Sequence, residues 1–419
     1  MTKVTRSCRL TLAALVFATV GLLRASGMVF TENTVIGPQD TNYDGQDIVI
    51  LDCTVTVDGP HTFSSLVLAA NGVLTHSFSA NGLLPITLSV TNASYMLSGT
   101  TPDVLANPDI LLPLLVTDTN GDLYTNGADY LVINQTNGTY ISTEVERTGT
   151  SSIPDGGTVL VSYSYYGSVS AGMDLMVTGV VWVTSGCEID ADGIGYGGGS
   201  GPGAGHSSSN TFFDGSGGGY GGGGGMSLSN AVGGVCNGSL YQPASLGSGG
   251  GASYAGTGGN GGGLVRITSG DEVEIDGVIS ANGGNATYPR AGGGGGGAIW
   301  ISAPSVSGAG SLSANGGAGA PEYGGGGGGG RIAIVCGTNE FAGAITAYGG
   351  SGANYGGAGT VFTELTGLPG LLTLNNNGKT GANSIVMLLN PADVAISNGA
   401  VAAVSTSFQP GNLTIGTNG

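Results

Sequence analysis

Residues 295–302 read GGGAIWIS, and residues 310–317 read GSLSANGG. This pair of segments recurs once before and once after these positions. The other two copies are GGGLVRIT with GVISANGG (261–268 and 277–284) and GGGRIAIV with GAITAYGG (328–335 and 343–350). Self-similarity at a fixed spacing indicates a repeat architecture, in which one supersecondary unit is stacked on the next.

Each copy contains two short stretches with apolar residues at every second position. Period two is typical of a strand with one buried face. Stretches this short bury little alone, so equivalent strands of successive copies should stack. We therefore expect two apolar ladders, each with members 33 or 34 residues apart: Ile279, Leu312 and Ile345 in one, and Ile267, Ile301 and Ile334 in the other.

Further copies are expected on both sides of these three. A decayed copy is predicted at 181–185 with 188–193, and a shorter one begins at 359–363. Strands joined by sharp corners and stacked on a continuous core predict an all-β fold, a right-handed parallel β-helix. Asparagine and glycine at the ANGG corners tolerate the positive φ that tight turns require.

The amino-acid composition also favours an all-β fold. Glycine supplies 86 of 419 residues, only 9% of residues are charged, and the mean hydropathy is +0.22. Collagen needs glycine at every third position, whereas here glycine occurs in runs. Glycine is also unfavourable inside helices, at about 1 kcal/mol relative to alanine. The recurrence of the runs predicts ordered, extended glycine segments that hydrogen-bond laterally.

Composition shifts along the chain predict five segments. Residues 1–27 form a signal peptide, 28–87 the first β-helix coils, and 88–168 an inserted small β-sandwich-like module. Residues 169–366 form the glycine-rich repeat β-helix with a glycine lobe at 195–259. Residues 367–419 resemble the N-terminal coils, so we expect them to open a second unit that is cut short within a longer protein.

The N-terminus indicates export. Lys3, Arg6 and Arg9 precede an apolar stretch of 14 residues at 10–23, and small residues before Met28 suit cleavage there. Its removal leaves five basic and 27 acidic residues, a net charge of −22. We expect a secreted or cell-surface protein without membrane insertion after cleavage. We expect no nucleic-acid partner, because phosphate contacts require Lys and Arg.

Four cysteines follow the predicted cleavage site. An even number in an exported chain permits disulfides, and four cysteines allow three pairings. Their spacing to histidine does not suit a structural zinc site. We expect these cysteines to be buried or paired, without chemistry: Cys53, Cys187, Cys236 and Cys336.

One loop is a candidate calcium site. Residues 40–47 read DTNYDGQD, which places oxygen ligands at Asp40, Asn42, Asp44 and Asp47 around a glycine bend. The loop lacks the position-12 glutamate and flanking helices of an EF-hand, and the same composition forms ordinary turns. A second, weaker candidate lies at 118–122. We expect no other cofactor.

Candidate catalytic residues are few. His61 and His76 are expected to cap turns or face solvent, and His206 lies in the glycine lobe. Asp190 and Asp192 would place two carboxylates on one strand face, as glycoside hydrolysis requires. They align with the Ser-Ala-Asn of the repeat, however, so a turn-forming role is expected.

Residues 195–205 (GYGGGSGPGAG), 246–251 (LGSGGG) and the GGGxIxI and ANGG motifs resemble glycine-rich repeat regions of large bacterial secreted or surface proteins. That resemblance covers about 170–365 and implies a β-helical, adhesin-like stalk. The stretch 120–165 is similar to small β modules of phage tail and surface proteins. Neither resemblance implies catalytic residues.

We therefore expect a non-enzymatic structural or adhesive surface protein, with an extracellular polysaccharide or a cell surface as its partner. A carbohydrate-active β-helix enzyme, a polysaccharide lyase or hydrolase, is the alternative from another class. Such enzymes need clustered Asp, Lys and Arg, and few basic residues remain. An ice- or surface-binding protein is a further alternative, which regular outward Thr ladders would favour.

Overall fold

The computed structural model describes residues 27–107, 110–137, 140–209, 211–404 and 408–419. Within these ranges the chain is all β, with one short 3-10 helix at Thr41–Tyr43 and no α-helix. No helix among these residues is long and apolar enough to span a bilayer. The predicted signal peptide lies almost wholly at 1–26, outside the described residues.

The chain divides into two compact units. One unit contains residues 27–83 and 170–419, and the other contains residues 84–169. Seven strands open the larger unit: β1 (Met28–Phe30), β2 (Thr34–Ile36), β3 (Asp47–Leu51), β4 (Thr54–Val57), β5 (Gly59–Phe63), β6 (Ser65–Ala69) and β7 (Val73–Thr75).

The smaller unit is built from two three-stranded sheets. β8, β10 and β13 form one sheet, and β9, β11 and β12 form the other. Both sheets contribute to one hydrophobic cluster that includes Leu97, Val116, Val145 and Val161. The strands are β8 (Leu83–Leu97), β9 (Asp103–Val104), β10 (Ile110–Thr117), β11 (Tyr130–Asn137), β12 (Tyr140–Arg147) and β13 (Gly157–Ser170).

The chain then returns to the larger unit, in which eleven strands cover the repeats. They are β14 (Met173–Val177), β15 (Val181–Val183), β16 (Glu188–Asp190), β17 (Leu264–Ser269), β18 (Glu272–Ile275), β19 (Val278–Ser280), β20 (Ala298–Gly308), β21 (Ser311–Ser313), β22 (Arg331–Phe341), β23 (Ala344–Thr346) and β24 (Thr360–Leu365). β1 and β2 begin two parallel stacks that these strands continue.

Both predicted ladders are confirmed by strand pairing. Ile279 pairs with Leu312 and Leu312 with Ile345 in a seven-stranded sheet, β2-β4-β7-β16-β19-β21-β23. Ile301 pairs with Ile267 and Ile334 in a fourteen-stranded sheet. Except for the half-buried Ile345, these side chains are buried in one cluster that runs from Phe30 to Cys336. The short strands thus share a core across repeats.

The predicted alignment of the decayed copy is wrong by one strand. Each repeat has three strand segments, because β17 and β18 correspond to the two halves of the longer β20. Val181–Val183 therefore pairs with β18, while β14 is the partner of β17. The first strand lacks a preceding glycine run in the decayed copy, so the sequence motif did not mark it. The copy predicted at 359–363 does pair in parallel with β22.

Five strands follow at the C-terminal end: β25 (Gly370–Asn375), β26 (Ser384–Val386), β27 (Ala392–Ser397), β28 (Ala402–Val404) and β29 (Leu413–Ile415). β24 and β25 are antiparallel, and β25, β27 and β29 are again parallel. Their side chains form a second hydrophobic cluster with Phe362, Leu372 and Val394.

The glycine runs form an ordered layer of their own. We call it the glycine layer, comprising residues 215–225, 247–251, 258–263, 292–297, 324–330 and 356–359, nearly all of them buried. These segments are neither helix nor strand, yet they bond to one another. For example, Gly293 N donates to Gly325 O at 3.0 Å and Gly328 N donates to Gly218 O at 2.8 Å. Lateral hydrogen bonds thus satisfy buried backbone groups that would otherwise be costly.

Side chains are excluded from this layer by backbone proximity. A Cβ atom built on Gly294 would overlap the carbonyl oxygen of Asn260, and one on Gly327 would overlap the carbonyl oxygen of Gly294. The prediction of extended, laterally bonded glycine segments is therefore confirmed for these runs.

Candidate functional site

The predicted calcium loop folds as a capped turn. Asp40 precedes the 3-10 helix, and its Oδ1 accepts hydrogen bonds from Asn42 N at 3.1 Å and Asn42 Nδ2 at 2.8 Å. Asp44 Oδ1 lies 3.1 Å from His61 Nδ1 and accepts from Thr62 N at 3.1 Å. Asp47 Oδ1 accepts from Ser65 Oγ at 2.7 Å.

The four predicted ligands are thus distributed over separate contacts. Asp40 and Asn42 are joined, whereas Asp44 and Asp47 bond to β5 and β6 respectively. Within the described ranges, no three His, Cys, Asp or Glu side chains are grouped so as to hold a metal ion. Calcium binding by Asp40, Asn42, Asp44 and Asp47 stays a prediction. To bind calcium, Asp40, Asp44 and Asp47 would have to give up their present hydrogen bonds and coordinate the ion instead.

The second loop, at 118–122, is a turn stabilised by its first residue. Asp118 Oδ1 accepts from Asn120 N at 2.8 Å and from Asp122 N at 2.9 Å. The backbone hydrogen bond from Asp122 is the main cause that lowers the pKa of the Asp118 carboxyl. The carboxylate form therefore stabilises the turn itself.

His61 is buried, so of its two expected placements, capping a turn or facing solvent, the second is wrong. Its Nδ1 lies 3.1 Å from Asp44 Oδ1, and its Nε2 lies 3.1 Å from the carbonyl oxygen of Gly37. The ring also stacks on Phe63, with centroids 6.1 Å apart. The imidazole therefore fixes the 37–45 segment against β5.

His76 is likewise buried, and it joins two distant parts of the larger unit. Its Nε2 accepts a hydrogen bond from Leu264 N at 3.1 Å, and its Nδ1 donates to Ser77 O at 3.0 Å. A Cβ on Gly263 would overlap Nε2, so glycine makes the approach possible. Burial lowers the pKa of His76, because the charged form loses its hydration. The neutral ring is the form that this site requires.

The glycine lobe contains the third histidine and an aromatic clamp. His206 is exposed, with Nδ1 3.0 Å from Val232 O. Nearby, Arg290 forms an ion pair with the buried Asp214. Its guanidinium lies 3.7 Å from the ring centroid of Tyr323 and 4.7 Å from that of Phe212. These contacts bind the lobe to the later repeats.

Asp190 and Asp192 belong to a ladder of corner residues. Asp190 Oδ1 accepts from Asp192 N at 2.9 Å, and Asp192 Oδ1 accepts from Asn282 N at 2.6 Å. Asn282 Oδ1 then accepts from Asn315 N at 2.8 Å, and Asn315 Oδ1 from Tyr348 N at 2.7 Å. Asp192, Asn282 and Asn315 therefore each bond the backbone of the next repeat, whereas Asp190 bonds within its own corner, as the predicted turn role implies.

All four described cysteines are free thiols. Cys53, Cys187 and Cys336 are buried, and Cys236 is partly exposed. The three buried thiols lie in the main hydrophobic cluster. The sequence left open whether these residues pair, and the structure leaves them unpaired.

Arg331 is a functional candidate that the sequence motifs did not reveal. Arg331 occupies the fourth position of the GGGRIAIV segment, where the other copies have Leu264 and Ala298. Its side chain is only 4% exposed. A charged residue at a repeat position that is otherwise apolar is the signal that could have found it.

Comparisons of the chain with protein-family models, with curated proteins and with solved structures gave no match.

Proposed function

We propose that the larger unit is a right-handed parallel β-helix with a glycine layer. Two parallel sheets advance together from β1 and β2 through successive repeats, which supports this fold. Connections between parallel strands of one sheet are right-handed in about 98% of cases. The 84–169 unit is then an insertion between two coils.

We infer that this fold serves an exported structural or adhesive surface protein without enzymatic activity. One observation carries the proposal: the polar side chains that could do chemistry bond to the fold. His61, His76 and Asp44 join backbone segments, and Asp192 bonds to the next corner. These contacts give each of the four side chains a role in stability, which favours a structural protein.

Export is tested by expressing the full chain in a bacterial host, beside a matched chain that lacks 2–27. We expect the full chain outside the cytoplasm with a new N-terminus at Met28, measured by mass spectrometry of the intact protein. The shortened chain should stay in the cytoplasm. Retention of the uncleaved full chain in the cytoplasm would argue against the proposal.

Adhesion is tested by co-sedimentation of the full chain with insoluble polysaccharides and with bacterial cells, with calcium or with a chelator. We expect binding without release of reducing ends or unsaturated products. Product release would favour the lyase or hydrolase alternative. Thermal hysteresis without polysaccharide or cell binding would favour the ice-binding alternative. Dependence on calcium that Asp44→Asn abolishes would support the loop at 40–47.

A further inference from the structure

The guanidinium of Arg331 is buried with only part of its hydrogen-bonding capacity used. Nε donates to the carbonyl oxygen of Asn237 at 2.9 Å, and Nη1 donates to Thr360 Oγ1 at 3.0 Å. An arginine side chain has five N–H donors. Two of them thus have acceptors in the part of the chain that the structure describes. Cζ lies 5.6 Å from the ring centroid of Tyr220.

Among the residues that the structure describes, no acidic side chain pairs with the positive charge of Arg331. The ion pairs among the described residues involve His61, Arg266 and Arg290 instead. Burial raises the pKa of Tyr220 to about 12 and also raises the pKa of the Cys236 thiol. Both neighbours are therefore neutral at pH 7. An isolated buried charge is costly unless something pairs with it.

Arg331 lines a cavity of about 280 Å³. The other lining residues are 236–241, Ile385, Met387 and Leu389. Tyr241 joins these two segments, because its hydroxyl oxygen accepts a hydrogen bond from Leu389 N at 3.0 Å. Ligand sites typically combine an apolar wall with a few placed polar groups.

Three of the residues that line the cavity are large, apolar and exposed. Ile385, Met387 and Leu389 are 44%, 56% and 73% exposed. Three large apolar side chains exposed together around a charged cavity indicate a ligand with an apolar part. The volume equals that of about nine water molecules in the liquid, at roughly 30 Å³ each, so a small organic molecule is the size of ligand to test.

We propose that this cavity binds a small organic carboxylate with an apolar body. The carboxylate pairs with the free N–H groups of Arg331, and the body lies against Leu240, Ile385 and Met387. A single guanidinium balances a monoanion, whereas a phosphate dianion would leave an unpaired negative charge beside apolar walls. This inference does not depend on the proposed surface function.

Isothermal titration of the full chain with sodium benzoate tests the proposal, since benzoate combines both features. Acetate lacks the body, benzyl alcohol lacks the charge, and inorganic phosphate is the alternative anion. Arg331→Met removes the charge but keeps the aliphatic stem. Arg266→Met is the matched control, because Arg266 pairs with Asp174 at 3.4 Å on a different strand.

We expect benzoate to bind at least tenfold more tightly than the three comparison ligands. Arg331→Met should weaken it by about 10- to 100-fold, the loss of a charge-assisted hydrogen bond, and Arg266→Met should leave it unchanged. Absence of benzoate binding, or equal binding by Arg331→Met, would overturn the proposal. Preference for phosphate would also overturn it, in favour of an inorganic-anion site.

Protection of Cys236 provides a test that does not need a variant. Cys236 lines the cavity, whereas Cys53, Cys187 and Cys336 are buried elsewhere and serve as internal references. Benzoate, but not benzyl alcohol, should slow alkylation of Cys236, followed by mass spectrometry of its peptide. An alkylation rate that benzoate leaves unchanged would contradict occupancy of the cavity.

Discussion

At the scale of single residues, His76 and the corner asparagines have the same structural role, which is to accept a hydrogen bond from a distant backbone N–H. Each uses a side-chain acceptor to satisfy a backbone N–H that is distant in sequence. A backbone donor left unsatisfied inside a protein costs about 1–3 kcal/mol, so such acceptors are expensive to remove. The sequence does not reveal this contact, so His76 was expected either to cap a turn or to face solvent.

The depressed pKa of His76 predicts a pH dependence of stability. The unfolded chain binds the proton near pH 6.5, whereas the folded chain does so only at lower pH. The contribution of His76 is therefore complete above pH 6.5 and falls as the pH drops below it. Urea unfolding from pH 5 to 8 should show this loss.

The variant His76→Gln isolates the effect, because glutamine offers an acceptor that does not titrate. We expect its stability to fall less than that of the wild-type chain between pH 7.5 and pH 5. If both proteins lose the same free energy over this range, His76 is not the titrating group.

Asn315 is the corner residue that links Asn282 to Tyr348. Its substitutions should lower the free energy of unfolding by graded amounts. Its Oδ1 accepts from Tyr348 N at 2.7 Å, and its Nδ2 donates to Thr346 Oγ1 at 3.0 Å. Asn315→Ala should lower the free energy of unfolding by about 1–3 kcal/mol. Asn315→Asp keeps the acceptor but loses the amide donor, so an intermediate loss is expected. Stability of Asn315→Ala equal to the wild type would contradict the ladder.

At the scale of elements, the sequence predicts most of the repeat strands and the glycine segments, but not every strand and not the partners of each segment. Period two and the 33-residue spacing predicted the Ile279 and Ile301 ladders, because strand stacking preserves both. The middle strand of each repeat was missed, because it is the separate strand β18, reading EVEI, in one copy and the second half of the longer β20 in the next. The glycine segments were predicted from their regular recurrence, although their partners in space could not be.

A pair of glycine substitutions tests the packing of the glycine layer. Gly294→Ala would push a methyl group against the carbonyl oxygen of Asn260, whereas Gly37→Ala meets open space. Overpacking typically costs about 1–3 kcal/mol, and rigid backbone neighbours place this site at the upper end. We expect a marked fall in the Tm of Gly294→Ala and almost none for Gly37→Ala. Equal effects would show that backbone proximity is not what requires glycine.

At the scale of the whole molecule, stability should come from stacked apolar ladders, with no disulfide among the described residues. Three thiols are buried within the main cluster. A reducing agent should therefore leave the Tm of the exported chain unchanged. Mass spectrometry under non-reducing conditions should recover the peptides of Cys53, Cys187, Cys236 and Cys336 unlinked. A disulfide-linked peptide from these positions would contradict the prediction.

Sequence proximity and spatial proximity differ between the two candidate sites. Among the predicted calcium ligands, Asp40 bonds to Asn42, whereas Asp44 and Asp47 bond to β5 and β6, and calcium binding by these residues stays a prediction. Arg331 and Cys236, by contrast, are far apart in sequence and line one cavity. Local motifs reveal turns, whereas a site assembled from stacked repeats depends on contacts between residues that are distant in sequence.

Hydrogen exchange measures directly whether the glycine layer is ordered by lateral hydrogen bonds between its segments. Its buried amides donate to neighbouring segments, as Gly296 N does to Gly328 O at 2.9 Å. Exchange should therefore require opening of the structure. Mass spectrometry of peptides covering 291–300 and 324–335 should show protection comparable to that of the strands at 264–275. Exchange of these glycine amides at the rate of an unstructured peptide would contradict the account.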